Sequence, residues 1–404
     1  MVALRDYKLQ ADELPSGYAI DSEQAFGNEA QAVESTTRQP PDPRPADALL
    51  EPLEASGRVV RVRQVLNKPG EPEAAELLFN VVLFRAPEGA ESALKDPSLV
   101  LFTPPDLEIT TLAQAPIGDG ASAFQLDTLN EVGEVEDRAR AVFWRRGRVA
   151  FAVVASGPPV VADAAASLVA ELAQRADTRL ATLPPLPAPV AAPTWMPPVQ
   201  ARLGLYRALV DRTLPDDAFV GFQSPGVDTI GNAELLNDGP RLAEAPISDP
   251  AVLRERLLER ERRILGIHKE YLPVPEAADP PDTRFPSLAS GYHLYADADG
   301  AREALAASAA EIALRMIEAI PVPTPTLGEI TPPLRLGEET RALTGRVRFD
   351  DGLEVEVTTL RWRRGSVELY ADVAAAAGAD LGELLVRLAQ QHDAVYAANP
   401  LPAR

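Results

Sequence analysis

The chain has 404 residues, more than one hydrophobic core usually organises, so two domains are expected. Its 46% hydrophobic and 25% charged residues give the balance of a folded protein and exclude wholesale disorder. A formal charge of -21 opposes non-specific binding to nucleic acid or anionic membrane, and zero cysteines exclude disulfides, thiolate nucleophiles and cysteine-ligated metal centres.

The chain begins MVALRDYKLQADEL, with no basic segment leading into an apolar run, so an intact secretory leader is not expected; a mature chain with an added Met1 would read the same. The longest apolar stretch, Val149 to Ala155, is far below the roughly 18 residues of a membrane helix, and no membrane insertion is expected. After Leu14-Pro15, the segment Ser35 to Pro45 reads as an irregular insertion, and PADALLEPLEAS as a helix shortened or kinked by Pro52. Arg58 to Leu66 reads as a strand. Leu77 to Asp96 reads as a second strand that meets an acidic-Gly turn at Gly89 and then an alanine-rich helix. IGDGAS, Ile117 to Ser122, lacks the third glycine of a dinucleotide fingerprint, the lysine of a phosphate loop and the G-x-S-x-G spacing, so it reads as a turn entering a strand. RAVFWRRGRVAFAVVAS, Arg140 to Ser156, reads as two strands joined at Arg145 to Gly147, and Leu168 to Leu180 as a closing helix.

Pro184 to Pro198 is proline-rich and reads as an extended spacer. Beyond it the pattern returns. AVLRERLLERERRIL forms a helix with Asp249 able to cap and Pro250 at the first helical position. Arg262 to Leu272 matches the Arg58 strand, and Leu272 to Pro286 is the second irregular insertion. Leu288 to Ser308 repeats the strand, turn and helix of Leu77 to Asp96, with Tyr295 matching Phe84 and Gly300 matching Gly89. VRFDDGLEVEV, Val347 to Val357, reads as a hairpin turning at Asp351-Gly352. Thr359 to Val373 repeats the tryptophan strand, Trp362 matching Trp144, and Leu384 to Tyr396 repeats the closing helix. IGDGAS has only a loose counterpart, PLRLGEET near Leu336. The expected organisation is therefore a first repeat over residues 1–183, a linker over 184–199 and a second repeat over 200–404. Each repeat is expected to be α+β, a mainly antiparallel sheet with helices packed on one face.

No catalytic, cofactor-binding or metal-ligating residue is expected, and no cofactor. His268, His293 and His392 all fall in the second repeat without metal-ligand spacing, and packed side chains account for them better. Asp297 to Gly300 fails the calcium-loop pattern at both ends and reads as a helix cap. The 60 acidic residues read by default as a solvated surface. The binding candidates are Trp144, Arg145 and Arg146 with Trp362, Arg363 and Arg364, because an arginine pair beside an aromatic can hold a carboxylate, a phosphate or a sugar ring. The alternative places both tryptophans in the core and the arginines at hairpin tips.

The succession of a strand, the APEGA helix start, IGDGAS, FWRRGRVAF and a closing helix resembles an uncharacterised domain of bacterial extracytoplasmic proteins and lipoproteins, similar in broad layout to PsbP-like α/β sandwiches. The resemblance spans Leu14 to Leu183 and is looser in the second repeat. It implies an extracytoplasmic or cell-surface setting, no catalytic residues and a binding or structural role. The leading expectation is a non-enzymatic protein that binds a small-molecule or protein partner through paired domains. A self-assembling envelope component and a carboxylate-dependent hydrolase are the alternatives.

Overall fold

The computed structural model describes residues 4–37, 42–71, 73–101, 107–113, 116–130, 132–186, 192–237, 250–274, 286–316, 325–349, 352–379 and 381–402. Asp249, Asp351, part of the 184–199 linker, part of the Ser35 to Pro45 insertion and most of the Leu272 to Pro286 insertion lie outside the described residues.

The first sheet is built from β1 (Ala19–Phe26), β2 (Arg58–Asn67), β3 (Glu76–Phe84), β4 (Leu107–Leu112), β5 (Ala121–Leu129), β6 (Val135–Arg146) and β7 (Val149–Gly157), in the spatial order β1-β2-β3-β7-β6-β5-β4. Every pairing is antiparallel. Three strands meander, the chain crosses to the far edge, and four strands meander back until β7 pairs with β3. Helices α1 (Asn28–Thr37) and α2 (Ala46–Ala55) lie between β1 and β2, α3 (Pro87–Ala93) follows β3, and α4 (Pro159–Ala164) and α5 (Ala166–Leu180) follow β7. Pro52 sits inside α2 without ending it.

The second repeat has α6 (Val199–Val210), β8 (Phe222–Gln223), β9 (Val227–Gly231), α7 (Asn232–Asn237), α8 (Pro250–Glu255), β10 (Arg263–Pro273), β11 (Ser287–Tyr295), α9 (Ala298–Leu305), α10 (Ala309–Met316), β12 (Thr326–Ile330), β13 (Glu339–Arg348), β14 (Glu354–Arg364), β15 (Val367–Ala376) and α11 (Gly382–Ala398). Its sheet runs β12-β13-β14-β15-β11-β10-β8, with β9 also on β10. Apart from the two-residue β8, this is the order of the first sheet, so the fold is α+β with two tandem antiparallel sheets. Helix α8 continues as a π-helical turn, Arg256–Arg260. No helix among the described residues is long and apolar enough to cross a membrane.

Strands β3 and β7 read as continuous apolar runs because both faces of their sheet are covered. Leu77, Phe79, Val81, Phe151 and Val153 pack with Val169, Leu172 and Ala176 of α5, the long closing helix on one face. The opposite face is covered as well, where Val82, Phe84, Ala150, Ala152 and Val154 pack with Ala90 and Ala93 of α3 and with Leu53 of α2. The acidic-Gly turn has a steric cause. A Cβ on Gly89 would collide with the Ser56 carbonyl oxygen, and one on Gly300 with the Glu261 carbonyl oxygen. In the second repeat Asp297 does cap its helix, accepting from the Gly300 N–H at 2.9 Å, whereas α3 starts after Ala86 with no side-chain cap.

The chain forms two compact units. One comprises Met1–Asn28, Asp47–Ala191 and Ala233–Gly239, the other Glu29–Ala46, Ala192–Asn232 and Pro240–Arg404. Each sheet is drawn from one repeat, while each unit takes in a short helical segment from the other repeat.

Candidate functional site

The tryptophan-arginine motifs form the same clamp in both units. Trp144 and Trp362 are fully buried, so neither indole offers a face to a ligand. Phe151 stacks on Trp144 with ring centroids 5.2 Å apart. Arg146 donates to Asp177 of α5 through Nε at 2.7 Å and Nη2 at 2.8 Å, and Arg364 donates to Asp393 of α11 at 2.6 and 2.7 Å. A two-pronged guanidinium-carboxylate pair of this kind fixes orientation as well as charge, and it holds each guanidinium above its ordinary pKa. Trp362 Nε1 also donates to Asp393, at 2.8 Å.

The loose PLRLGEET counterpart proves structurally equivalent to IGDGAS. Gly118 and Gly337 have φ of 57° and 56°, and the following N–H groups of Asp119 and Glu338 donate to the carbonyls of Arg145 and Arg363 at 2.8 and 2.9 Å. The same two acids accept from the turn amides of Gly147 and Gly365. Arg363 pairs with Glu338 and Glu339, while Arg145 lies 3.9 Å from Asp119. Trp144 and Arg146, and Trp362 and Arg364, thus face the closing helix of their unit, whereas Arg145 and Arg363 have their acidic neighbours in the Gly118 and Gly337 loops. The partners named for the arginines are all within the chain.

The second sheet buries a polar ladder on its other face. His268 Nδ1 lies 2.9 Å from the Tyr370 hydroxyl, His293 and Tyr370 stack at 5.3 Å, and Arg263 Nη2 is 3.1 Å from His293 Nδ1. Arg361 pairs with Glu368 at 3.1 Å, both fully buried, and Tyr295 donates to the same carboxylate at 2.8 Å. A Cβ on Gly291 would strike the Tyr370 ring, so glycine lets the tyrosine lie across β11 toward His268. Asp372, opposite Thr359, is pushed up to about 6 by burial, and Glu270 to about 7 by burial and the nearby charge of Asp228. The reading of acidic residues as a solvated surface is corrected here for Glu261, Glu368 and Asp372, which are buried, as are Asp127, Asp177 and Asp393 elsewhere. In the first sheet, the residues placed by register opposite one another as Arg361 is opposite Tyr370 are Phe143 and Ala152.

His392 lies apart from this ladder, on α11 against Tyr292 at 4.4 Å and edge-on to Trp362 at 5.9 Å, and burial lowers its pKa to about 4. Among the described residues no group of three or more His, Asp or Glu side chains could hold a metal ion. Apart from the half-buried Glu270, the side chains of this ladder are buried.

Among the described residues, a cleft that could take a ligand lies in the first unit. This cleft, of about 290 Å³, opens on the α3 side of the sheet, walled by Leu78, Leu101, Leu107, Leu126, Ala139 and Val154. Arg61, Arg63, Thr128, Asp137, Arg138 and Ser156 supply its polar lining. Arg138 donates to Asp127 at 2.7 Å and to Asp163 at 2.9 Å, and its hydrogen bond holds Asp127 below the usual carboxylate range. Arg61 donates to Asn80 at 2.9 Å, Arg63 donates to Gln24, and both guanidinium groups lie over the Phe26 ring at 5.5 and 5.4 Å.

Strand register identifies the same place in the second sheet. Thr128 pairs with Asp137 and Ala139 with Ser156, and the corresponding pairs are Val347 with Val355 and Val357 with Ala374. Those four pack with Ile312 into a closed apolar cluster. One site is therefore open and partly polar in the first unit and filled in the second. Sequence reasoning missed it, although the exchange of Thr128, Asp137 and Ser156 for Val347, Val355 and Ala374 is visible once register is known. No protein-family model and no curated protein matches the chain.

Proposed function

We propose that the protein is a non-enzymatic binding protein whose first unit holds a small ligand in the Leu78 to Val154 cleft, and whose second unit is a sealed copy of the same fold serving as scaffold. The observation that carries this reading is the contrast at one register position, where the first sheet leaves a lined cleft and the second packs Val347, Val355 and Val357. An apolar wall with a few converging polar groups is the usual make-up of a small-molecule site. Asp137 is the one carboxylate lining the cleft and sits beside Arg138, so the lining supplies no acid and nucleophile pair for glycoside hydrolysis. The extracytoplasmic setting belongs to this proposal on the strength of the domain resemblance.

Filling the cleft tests the reading. Ala139→Trp on the intact chain should abolish the thermal stabilisation produced by small amphiphiles while leaving the ligand-free melting temperature within a few degrees. Ligand-induced stabilisation that survives this substitution would place binding elsewhere.

A further inference from the structure

We infer that the ligand of this cleft is a small amphipathic amine, its ammonium group held by the Asp137 carboxylate with the Thr128 and Ser156 hydroxyls; this rests on the cleft being the binding site. The three side chains share one face of the sheet. Along β6, Ala139, Ala141 and Phe143 face α3, and Asp137 is in phase with them. Thr128 lies directly opposite Asp137 on β5, and Ser156 lies opposite Ala139 on β7. Thr128 and Ser156 are half-buried and Asp137 is exposed at the mouth. Among the described residues none of these three side chains makes a hydrogen bond or ion pair within the protein, so their capacity is open to a ligand. A carboxylate only accepts and a hydroxyl can accept as well, so the group they suit is one rich in donors, which an ammonium is.

The arginines of the lining stand away from this trio. Arg138 is out of phase with Asp137, on the side of Val142 and Trp144, where it donates to Asp127 and Asp163. Arg61 and Arg63 are on β2, three strand spacings from β6, and both guanidinium groups lie over Phe26 of β1, on the far side of β2. Three spacings of about 4.8 Å make roughly 14 Å, beyond the Debye length of about 8 Å at physiological salt. A cation beside Asp137 is therefore governed by that carboxylate, and the formal charge of -21 draws cations toward the protein. Leu126 lies opposite Ala139, and Leu78 opposite Val154, so an apolar floor runs from the trio across β7 to β3. That is two spacings, roughly 10 Å. At roughly 30 Å³ for each water-sized group, the cleft holds on the order of ten non-hydrogen atoms, a chain long enough to cover that floor. In the second unit Val347, Val355 and Ala374 take the places of Thr128, Asp137 and Ser156 inside a closed cluster, so the carboxylate, both hydroxyls and the open space are absent there together.

Titration calorimetry of the full chain with octylamine, 1-octanol and octanoate tests the assignment. Octylamine should bind at least tenfold more tightly than octanol, and octanoate more weakly than either. Asp137→Asn should bring octylamine down to the octanol affinity without weakening octanol. Glu136→Gln, which removes the neighbouring exposed charge on the other face, should leave the preference intact. Thr128→Val combined with Ser156→Ala should weaken octylamine severalfold, and Ala139→Trp should remove all binding; circular dichroism of each variant checks that it folds. Four results would overturn the amine assignment while leaving the cleft as a binding site: equal affinities for octylamine and octanol in the unmodified protein, an octanoate preference, an amine preference that persists in a folded Asp137→Asn or is lost equally in Glu136→Gln, and octylamine binding untouched by the hydroxyl double variant. Absence of binding by all three probes, or binding that survives in a folded Ala139→Trp, would overturn both.

Discussion

Asp372 illustrates how a single carboxyl on the buried face of the second sheet couples folding to pH. It lies on β15 opposite Thr359, with Arg361 and Glu368 acting on it from the same face and Glu270 beyond Ala289 on β10. Its pKa rises from 3.8 to about 6 on folding, so the folded state binds the proton more tightly than the unfolded chain. The stability this contributes is complete below pH 3.8 and is lost as pH rises through 6, about 3 kcal/mol at 1.36 kcal/mol per pH unit. Glu270, raised to about 7, acts in the same sense, whereas His392, lowered to about 4, gives stability above 6.5 that is lost as pH falls through 4. Asp372→Asn keeps the shape and removes the titration. The variant should gain stability relative to the parent between pH 4.5 and 7.5, measured as urea midpoints; a difference independent of pH would show that Asp372 does not titrate on folding. The alternation that puts His268 with Glu270, and Glu368 with Tyr370 and Asp372, on one side of each strand is legible in the sequence. Their burial was not, because period two tells which residues share a face and not what covers it.

At the scale of elements, the strand-to-helix turns owe their shape to close backbone approach. Gly89→Ala should cost roughly 2 kcal/mol or more, since the added Cβ meets both the Ser56 carbonyl and the Phe84 ring. Gly204, within α6, has open space around it, and Gly204→Ala should stabilise by about 0.5–1 kcal/mol. Thermal unfolding of the two variants checks both signs, and equal effects would remove the steric account. These elements were largely readable: the matched glycines, the tryptophan strands and the closing helices all lie where the repeat placed them. One match went unread. FGNEA at Phe26 to Ala30 and IGNAE at Ile230 to Glu234 occupy equivalent positions, with Asn28 donating to the Arg58 carbonyl at 2.8 Å and Asn232 to the Arg263 carbonyl at 2.7 Å. Five residues with a shared Gly-Asn carry little signal until the two strands they follow are known to be equivalent.

For the whole molecule, the two compact units do not follow the repeat boundary, because Glu29–Ala46 belongs with the second repeat's sheet and Ala233–Gly239 with the first. Residues 1–191 and 192–404 produced separately should therefore each unfold below the full chain, and mixing them should restore part of the loss. A half that melted at the temperature of the intact protein would show that the exchanged segments contribute nothing. The sequence by itself determined that there are two α+β copies, in which order their strands and helices come, and which side chains alternate, since periodicity and internal comparison are local properties of the chain. Tertiary structure alone decided that Arg146 and Arg364 of the tryptophan motifs are spent on Asp177 and Asp393, that a face of acids and histidines lies inside the second sheet, and that a cleft opens in the first. Each of these depends on side chains distant in sequence being brought together in space, as in the cleft, where Thr128, Asp137 and Ser156 line what Val347, Val355 and Ala374 fill in the second unit.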